Sequence, residues 1–356
     1  MNKVVEFLNA NPVQYLATVG RDGKAKCRPF MFAGELDGRL WFCTNNQKDV
    51  YKDMQQNPEV EISVSSPEYA WIRLHGKAVF ENNMAAKEMC IQNPIVKGQY
   101  GEAATPSLRC SIWIMPAASS PTSPATLPTS SKKICSSLKK YKGCCNFIMR
   151  GIETMQKQDY LELLVENIHS TTIATIGADG HPQTHVIDMM LCDEQGVYFL
   201  TAKGKAFYAQ LMEQGYIALS ATKDKISISL RGNIKNIGSE KLDEIFEKNT
   251  YMQSIYPGDT RSALEVFYLY EADGEYFDIS DPAHIVRDGF SIGKAAREAL
   301  GYYVGEGCIG CKLCYSVCPQ KCIDITKKPV VIDQHHCLHC GRCAETCPRQ
   351  VIEKRV

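Results

Sequence analysis

Ala17-Thr18-Val19-Gly20-Arg21-Asp22-Gly23 recurs as Ala174-Thr175-Ile176-Gly177-Ala178-Asp179-Gly180, 157 positions later. The offset persists: Gly38-Arg39-Leu40-Trp41-Phe42-Cys43-Thr44 aligns with the strand ending at Thr201, and Arg73-Leu74-His75-Gly76 aligns with Ser229-Leu230-Arg231-Gly232 at an offset of 156. An offset held across several motifs marks two copies of one domain. Within each copy, short β-rich runs are divided by turn dipeptides, Asp22-Gly23 and Asp37-Gly38 in the first and Asp179-Gly180 in the second, as in an antiparallel meander. Apolar periodicity predicts helices over 47–56 and 84–92 in the first copy and over 204–214 and 239–248 in the second. With so few helices on a six-stranded antiparallel sheet, each copy is expected to close into a small barrel.

The chain has 356 residues, enough for two or three domains. Forty Lys plus Arg balance forty Asp plus Glu, so no global charge draws it to nucleic acid or to a membrane surface. No apolar run approaches the roughly 18 residues of a membrane span, and the start, Met1 to Pro12, lacks a signal-peptide core. A cytoplasmic protein is expected. Of seventeen cysteines, nine lie between Cys308 and Cys347. In a reducing compartment such a cluster reads as metal ligands or redox centres, not as a disulfide framework.

The tail runs Cys308-x-x-Cys311-x-x-Cys314-x-x-x-Cys318-Pro319, and 29 residues later Cys337-x-x-Cys340-x-x-Cys343-x-x-x-Cys347-Pro348 repeats the spacing. Three thiolates two residues apart can wrap one face of an iron–sulfur cubane, while the fourth, before a proline, ligates the neighbouring cluster. One 4Fe-4S cluster is therefore expected on Cys308, Cys311, Cys314 and Cys347, the other on Cys337, Cys340, Cys343 and Cys318. Cys322 is left over and reads as a buried apolar residue. Zinc sites more often place two Cys pairs across a longer span. His335, His336 and His339 read as solvent-facing or as hydrogen bonding near cluster sulfurs. The tail resembles the bacterial two-cluster ferredoxin domain over 305–356, with 322–325 and 330–333 as its short strands. At that size the clusters are expected to supply much of the folding energy.

The two repeats resemble the pyridoxamine 5′-phosphate oxidase-like flavin split barrel over about 1–101 and 155–280. The resemblance rests on the Ala-Thr-hydrophobic-Gly-x-Asp-Gly opening, Arg28-Pro29-Phe30, Thr44-Asn45-Asn46-Gln47-Lys48 and Trp71-Ile72-Arg73-Leu74-His75-Gly76. It implies FMN at a dimer interface, and hence a homodimer or a pairing of the two copies within one chain. It also implies a phosphate held by a basic residue on the second strand and by the turn after the third. The first copy offers Arg28, Thr44, Asn45 and Lys48 for this; the second offers Thr201, Lys203 and Lys205, with His185 where Arg28 stands. His75, His169, His181 and His185 stand isolated in the sequence and read as packed or turn residues, and no catalytic constellation emerges.

The expected fold is mainly β with α: tandem six-stranded antiparallel split barrels and a small α+β two-cluster ferredoxin domain. The expected boundaries are 1–101 for a first, incomplete barrel; 102–150 for a Ser/Pro/Thr-rich irregular linker or frameshifted segment; 151–280 for the second barrel; 281–304 for a connection with a helix over 293–300; and 305–356 for the ferredoxin domain. The frameshift reading has a specific basis. Suitable codons for 108–116, read one base earlier, spell Glu-Val-Phe-Tyr-Leu-Asp-Tyr-Ala, close to the strand beginning at Glu265. On that reading the first barrel lacks its closing strands and exposes a sheet edge.

Flavin beside iron–sulfur clusters suits an FMN-dependent oxidoreductase, since a flavin exchanges two electrons with a substrate and one at a time with a cluster. A redox partner protein or small-molecule acceptor is implied. The alternative is a non-enzymatic electron carrier or redox sensor whose barrels are a dimerisation scaffold.

Overall fold

The computed structural model describes residues 2–67, 70–114, 155–296 and 300–355. After α1 (Asn2–Ala10), the first repeat contains β1 (Gln14–Val19), β2 (Ala25–Phe30), β3 (Phe32–Leu36), β4 (Arg39–Asn45), α2 (Asp49–Gln56), β5 (Glu59–Ser65), β6 (Trp71–Glu81), α3 (Met84–Ile91), α4 (Pro94–Tyr100) and β7 (Leu108–Ile114). Its strands follow the order β2-β1-β5-β6-β7-β4-β3, and every pairing is antiparallel. Only Met31 separates β2 from β3. One bent strand therefore begins and ends the path, which closes six strands into a barrel.

The second repeat has β8 (Ser170–Ile176), β9 (Pro182–Asp188), β10 (Leu191–Asp193), β11 (Gly196–Ala202), β12 (Tyr216–Lys223), β13 (Ile226–Asn236), β14 (Leu264–Asp278) and β15 (Val286–Ile292). Its path, β9-β8-β12-β13-β14-β11-β10, matches the first strand for strand, with β15 added on β14. Helices Ala206–Gln214 and Leu242–Lys248 sit where the periodicity predicts them. Two apolar clusters fill each barrel, around Phe42 and Trp41 in the first and around Phe199 and Tyr198 in the second.

Two sequence expectations need correction. Residues 108–114 are not irregular linker: as β7 they pair with β4 and β6, and Trp113 stacks on Phe42 at 4.1 Å. Cys110 and Ile112 are buried. The barrel needs only an apolar, β-prone strand there, and Leu-Arg-Cys-Ser-Ile-Trp-Ile supplies one whatever its origin. The slot expected to gape is filled. The rest of the anomalous segment, 115–150, lies outside the described residues. Secondly, the connection over 281–304 contains strand β15, which the sequence did not suggest, and no helix runs over 293–296. Residues 293–294 form a turn and 295–296 have no regular structure, while 297–299 of the expected helix lie outside the described residues. Phe290 of β15 packs over Gly274, where a Cβ would sit 2.6 Å from its ring, and stacks on Tyr160 at 4.7 Å.

The barrels pair with each other inside the chain. Small residues, Ala17, Ala25, Cys27, Ala174 and Ala218, let the sheets approach closely at the seam. Glu61 of the first barrel accepts hydrogen bonds from both the backbone N–H and the hydroxyl of Thr184 at 2.6 Å, and Arg73 donates to the Thr184 carbonyl at 3.0 Å. The tail folds around two short ladders, β16 (Gly301–Val304) with β19 (Ile352–Arg355), and β17 (Ile323–Asp324) with β18 (Val331–Ile332). The first of these begins before residue 305 because β19 needs a partner. Among the described residues no helix is long and apolar enough to cross a membrane.

Candidate functional site

The folded tail gathers its cysteines into the two quartets expected from spacing. Cys308, Cys311, Cys314 and Cys347 line one small cavity; Cys318, Cys337, Cys340 and Cys343 line another. Each loop of three thiols ends in a one-turn helix, Leu313–Val317 or Arg342–Thr346, and the two helices pack together, bringing each fourth cysteine to the opposite site. Four thiols converging on each of two cavities form the donor set that a cubane requires. Cys322 also lines the second cavity, half-buried, with its sulfur 3.6 Å from that of Cys318. The His339 backbone N–H points at the Cys337 sulfur at 3.4 Å. Around this second cavity the buried Tyr302 hydroxyl and His339 Nε2 have no hydrogen-bond partner. The quartets differ in exposure: Cys311 is exposed, whereas Cys337, Cys340 and Cys343 are buried.

The second quartet abuts the candidate phosphate turn of the first barrel. The Asn45 side-chain amide donates to the Cys340 carbonyl at 2.8 Å, and its oxygen accepts from the Gln47 N–H at 2.7 Å. Lys354 donates to the Gln47 carbonyl at 3.2 Å and pairs with Asp49 at 2.8 Å. Gly341, at φ +79°, permits this approach, since a Cβ there would lie 2.8 Å from the Gln47 side chain. From the second barrel, Arg287 of β15 donates to the Cys337 carbonyl at 3.1 Å while pairing with Glu275 at 2.5 Å.

Beside this joint lies a cavity of about 270 Å³ lined by Asp273, Glu275, Arg287, Asp288, Tyr303 and His335, among others. Sequence reading missed this wall, because β14 and β15 offer no motif. Arg287 is the guanidinium on its wall. Burial pulls the Lys48 amine below its ordinary range and nearby Arg287 adds to this, while burial, with Arg231 a lesser contributor, lowers that of Arg28. Arg28 also donates to the Thr18 hydroxyl at 2.9 Å and lies 3.9 Å from Asp53. Thr44 and Asn45 are buried, and Asn45 is committed to the joint with the tail. By donor chemistry alone, two cations and a hydroxyl, Arg28, Thr44 and Lys48 suit a phosphate-bearing group.

Around the position of Arg28 the second copy differs. His185, Thr175 and Gln210 occupy the positions of Arg28, Thr18 and Asp53, so a cation and a carboxylate are replaced by neutral groups. His185 stacks on Phe207 at 4.1 Å and meets Gln210 and Thr175 at 3.2 Å. Burial, helped by nearby Arg73, pushes the imidazole down to about 4, so it carries no charge at neutral pH. Thr201 is buried with its hydroxyl unpartnered, while Lys203 and Lys205 are exposed and Lys203 lies 3.6 Å from Glu265. Nor are the barrel histidines all isolated, as the sequence suggested: His75 and His181 stack across the seam with ring centroids 5.4 Å apart.

Fold and site together define a tandem antiparallel split barrel joined to a cysteine-rich redox module. Comparison with known proteins agrees. The family model described as pyridoxamine 5′-phosphate oxidase matches residues 1–123 and 158–269, and a 4Fe-4S dicluster domain matches 307–351. The chain belongs to the pyridoxamine 5′-phosphate oxidase family and carries a 4Fe-4S dicluster ferredoxin domain. Among curated relatives, a component of the ion-translocating oxidoreductase complex of Methanosarcina acetivorans is 47% identical over 76 residues, 21% of this chain and 27% of that protein. The pyruvate synthase subunit PorD of Methanothermobacter marburgensis is 46% identical over 48 residues, 14% of this chain and 56% of that one. The chain thus spans between about a quarter and just over half the length of these relatives. Among solved structures, a NimC/NimA family protein from Clostridium acetobutylicum is 30% identical, covering 32% of this chain and 78% of its own, with a TM-score of 0.30.

Proposed function

We propose that this chain is an iron–sulfur flavoprotein oxidoreductase in which electrons pass between the two 4Fe-4S clusters and an FMN held by the first barrel. The observation that carries this reading is the bond from Asn45 to the Cys340 carbonyl, which ties the candidate phosphate turn to the loop of the second cysteine quartet. When bound, FMN would supply two-electron exchange with a substrate and one-electron exchange with a cluster. In this reading Arg28, Thr44 and Lys48 hold its phosphate. Asn45 positions the cluster loop, and Arg287, through its bond to the Cys337 carbonyl, braces that loop from the other side. Cys308, Cys311, Cys314 and Cys347 ligate the outer cluster, Cys337, Cys340, Cys343 and Cys318 the inner. Exposure of Cys311 makes the outer quartet the natural entry or exit for a redox partner, and the two curated relatives, named as parts of a redox complex and of a synthase, favour a protein partner. The cavity beside Arg287 has room for a small acceptor. Clusters of this kind suit a reducing cytoplasm. The second barrel, with His185 neutral, acts as partner wall and carries no flavin of its own.

Anaerobic purification followed by quantification of iron, acid-labile sulfide and released FMN tests the reading. About eight iron atoms with one FMN per chain are expected. Full iron without flavin, even after reconstitution, would overturn it in favour of an electron carrier on a barrel scaffold.

A further inference from the structure

Glu59 at the start of β5, His75 on β6 and His181 before β9 meet at the seam between the barrels, with one ligand atom from each lying within 4.8 Å of the others. His75 Nε2 stands 3.7 Å from the Glu59 carboxylate, and His181 Nδ1 stands 3.4 Å from Asp179. The side chains are 30–38% exposed, so an ion can enter from solvent. The repeat provides an internal control. The positions equivalent to Glu59, His75 and His181 are Tyr216, Arg231 and Lys24, and there Lys24 lies 4.8 Å over the Tyr216 ring. At one of two related places on the seam, then, all three positions carry metal-ligating side chains; at the other none carries an imidazole or a carboxylate.

We infer that Glu59, His75 and His181 form a binding site for a divalent transition metal of the zinc class, which clamps the first barrel to the second. Two imidazoles and a carboxylate are a ligand set for zinc, leaving one position for water. Ligand atoms about 2.0–2.2 Å from one ion lie closer together than 4.8 Å, so the half-exposed side chains close in by small rotations. Asp179, 3.4 Å from His181 Nδ1, stands where it can hold the ring once an ion occupies Nε2, the outer-shell arrangement usual for metal-bound histidine. The site is separate from the cysteine quartets and needs no flavin.

The test uses the full chain with its clusters intact, supplied with zinc and desalted, then analysed for zinc and iron and by zinc-edge X-ray absorption. One zinc per chain is expected, with a nitrogen and oxygen shell at about 2.0–2.1 Å and no sulfur near 2.3 Å. H75R and H181K, which copy the residues at the related positions, should lose that zinc while keeping their iron. E59Q is the conservative second variant should either fail to keep its iron. D179N should weaken zinc binding by about 10–100-fold. A sulfur shell, no retained zinc in the wild type, or undiminished zinc in variants that keep their iron would overturn the inference.

Discussion

Serine in place of Cys340 should remove one cluster and leave the other, lowering iron from about eight to about four atoms per chain, a change that metal analysis and electron paramagnetic resonance would read directly. Serine at Cys322 should leave the iron content unchanged, because its sulfur is a neighbour of the second quartet and not the member that spacing assigns to it. His185 carries a prediction of a different kind. Its folded-state pKa of about 4 lies below the ordinary 6.5, so the native protein holds this imidazole neutral while the unfolded chain protonates it. Its contribution is complete above about pH 6.5 and is lost as acidification approaches pH 4, by at most about 3 kcal/mol. H185Q should flatten that part of the stability profile measured by denaturant titration between pH 7 and 4.5.

Among the elements, β7 is the most instructive. Its neighbours are rich in Ser, Pro and Thr, so local composition argued against a strand. Its burial follows from the slot between β4 and β6, which only the closed barrel reveals. W113A should destabilise the first barrel by about 3–5 kcal/mol, seen as an earlier transition in thermal melts monitored by hydrogen exchange, since Trp113 is buried against Phe42. The contrast with the rest of the fold is physical. The repeat and the cysteine spacings are local patterns that survive translation into one dimension, so the barrels, the helices within them and the grouping of the cysteines were legible. The joint was not, because Asn45 and Cys340 are 295 residues apart. Nor was the pairing of His75 with His181, which depends on how one barrel lies against the other. The one available signal was the divergence between equivalent positions of the two copies.

At the scale of the whole molecule, the tail is docked on both barrels. Lys354 and Asn45 hold it to the first, Arg287 to the second. Although burial opposes it, Lys354 and Arg21 keep the Asp49 carboxyl below its usual range, so this anchor stays charged at neutral pH. The double variant N45A/K354A should bind its full iron yet exchange amide hydrogens faster around residues 337–343, because the loop then loses two of its anchors. Since the copies pair within one chain, sedimentation should give a monomer of about 39.8 kDa, and a stable dimer would mean that a further surface associates.

That internal pairing also changes what a substitution can do. In an assembly of identical subunits every replacement appears on both sides of the axis, so a change that improves one site must be tolerated at its mirror image. Here the two halves are covalently tethered, and their association does not weaken on dilution. Each side of the seam is free to specialise alone: Arg28 on one side corresponds to His185 on the other, and Glu59, His75 and His181 stand together where the other side has Tyr216, Arg231 and Lys24. Duplication within one chain releases the protein from its own symmetry.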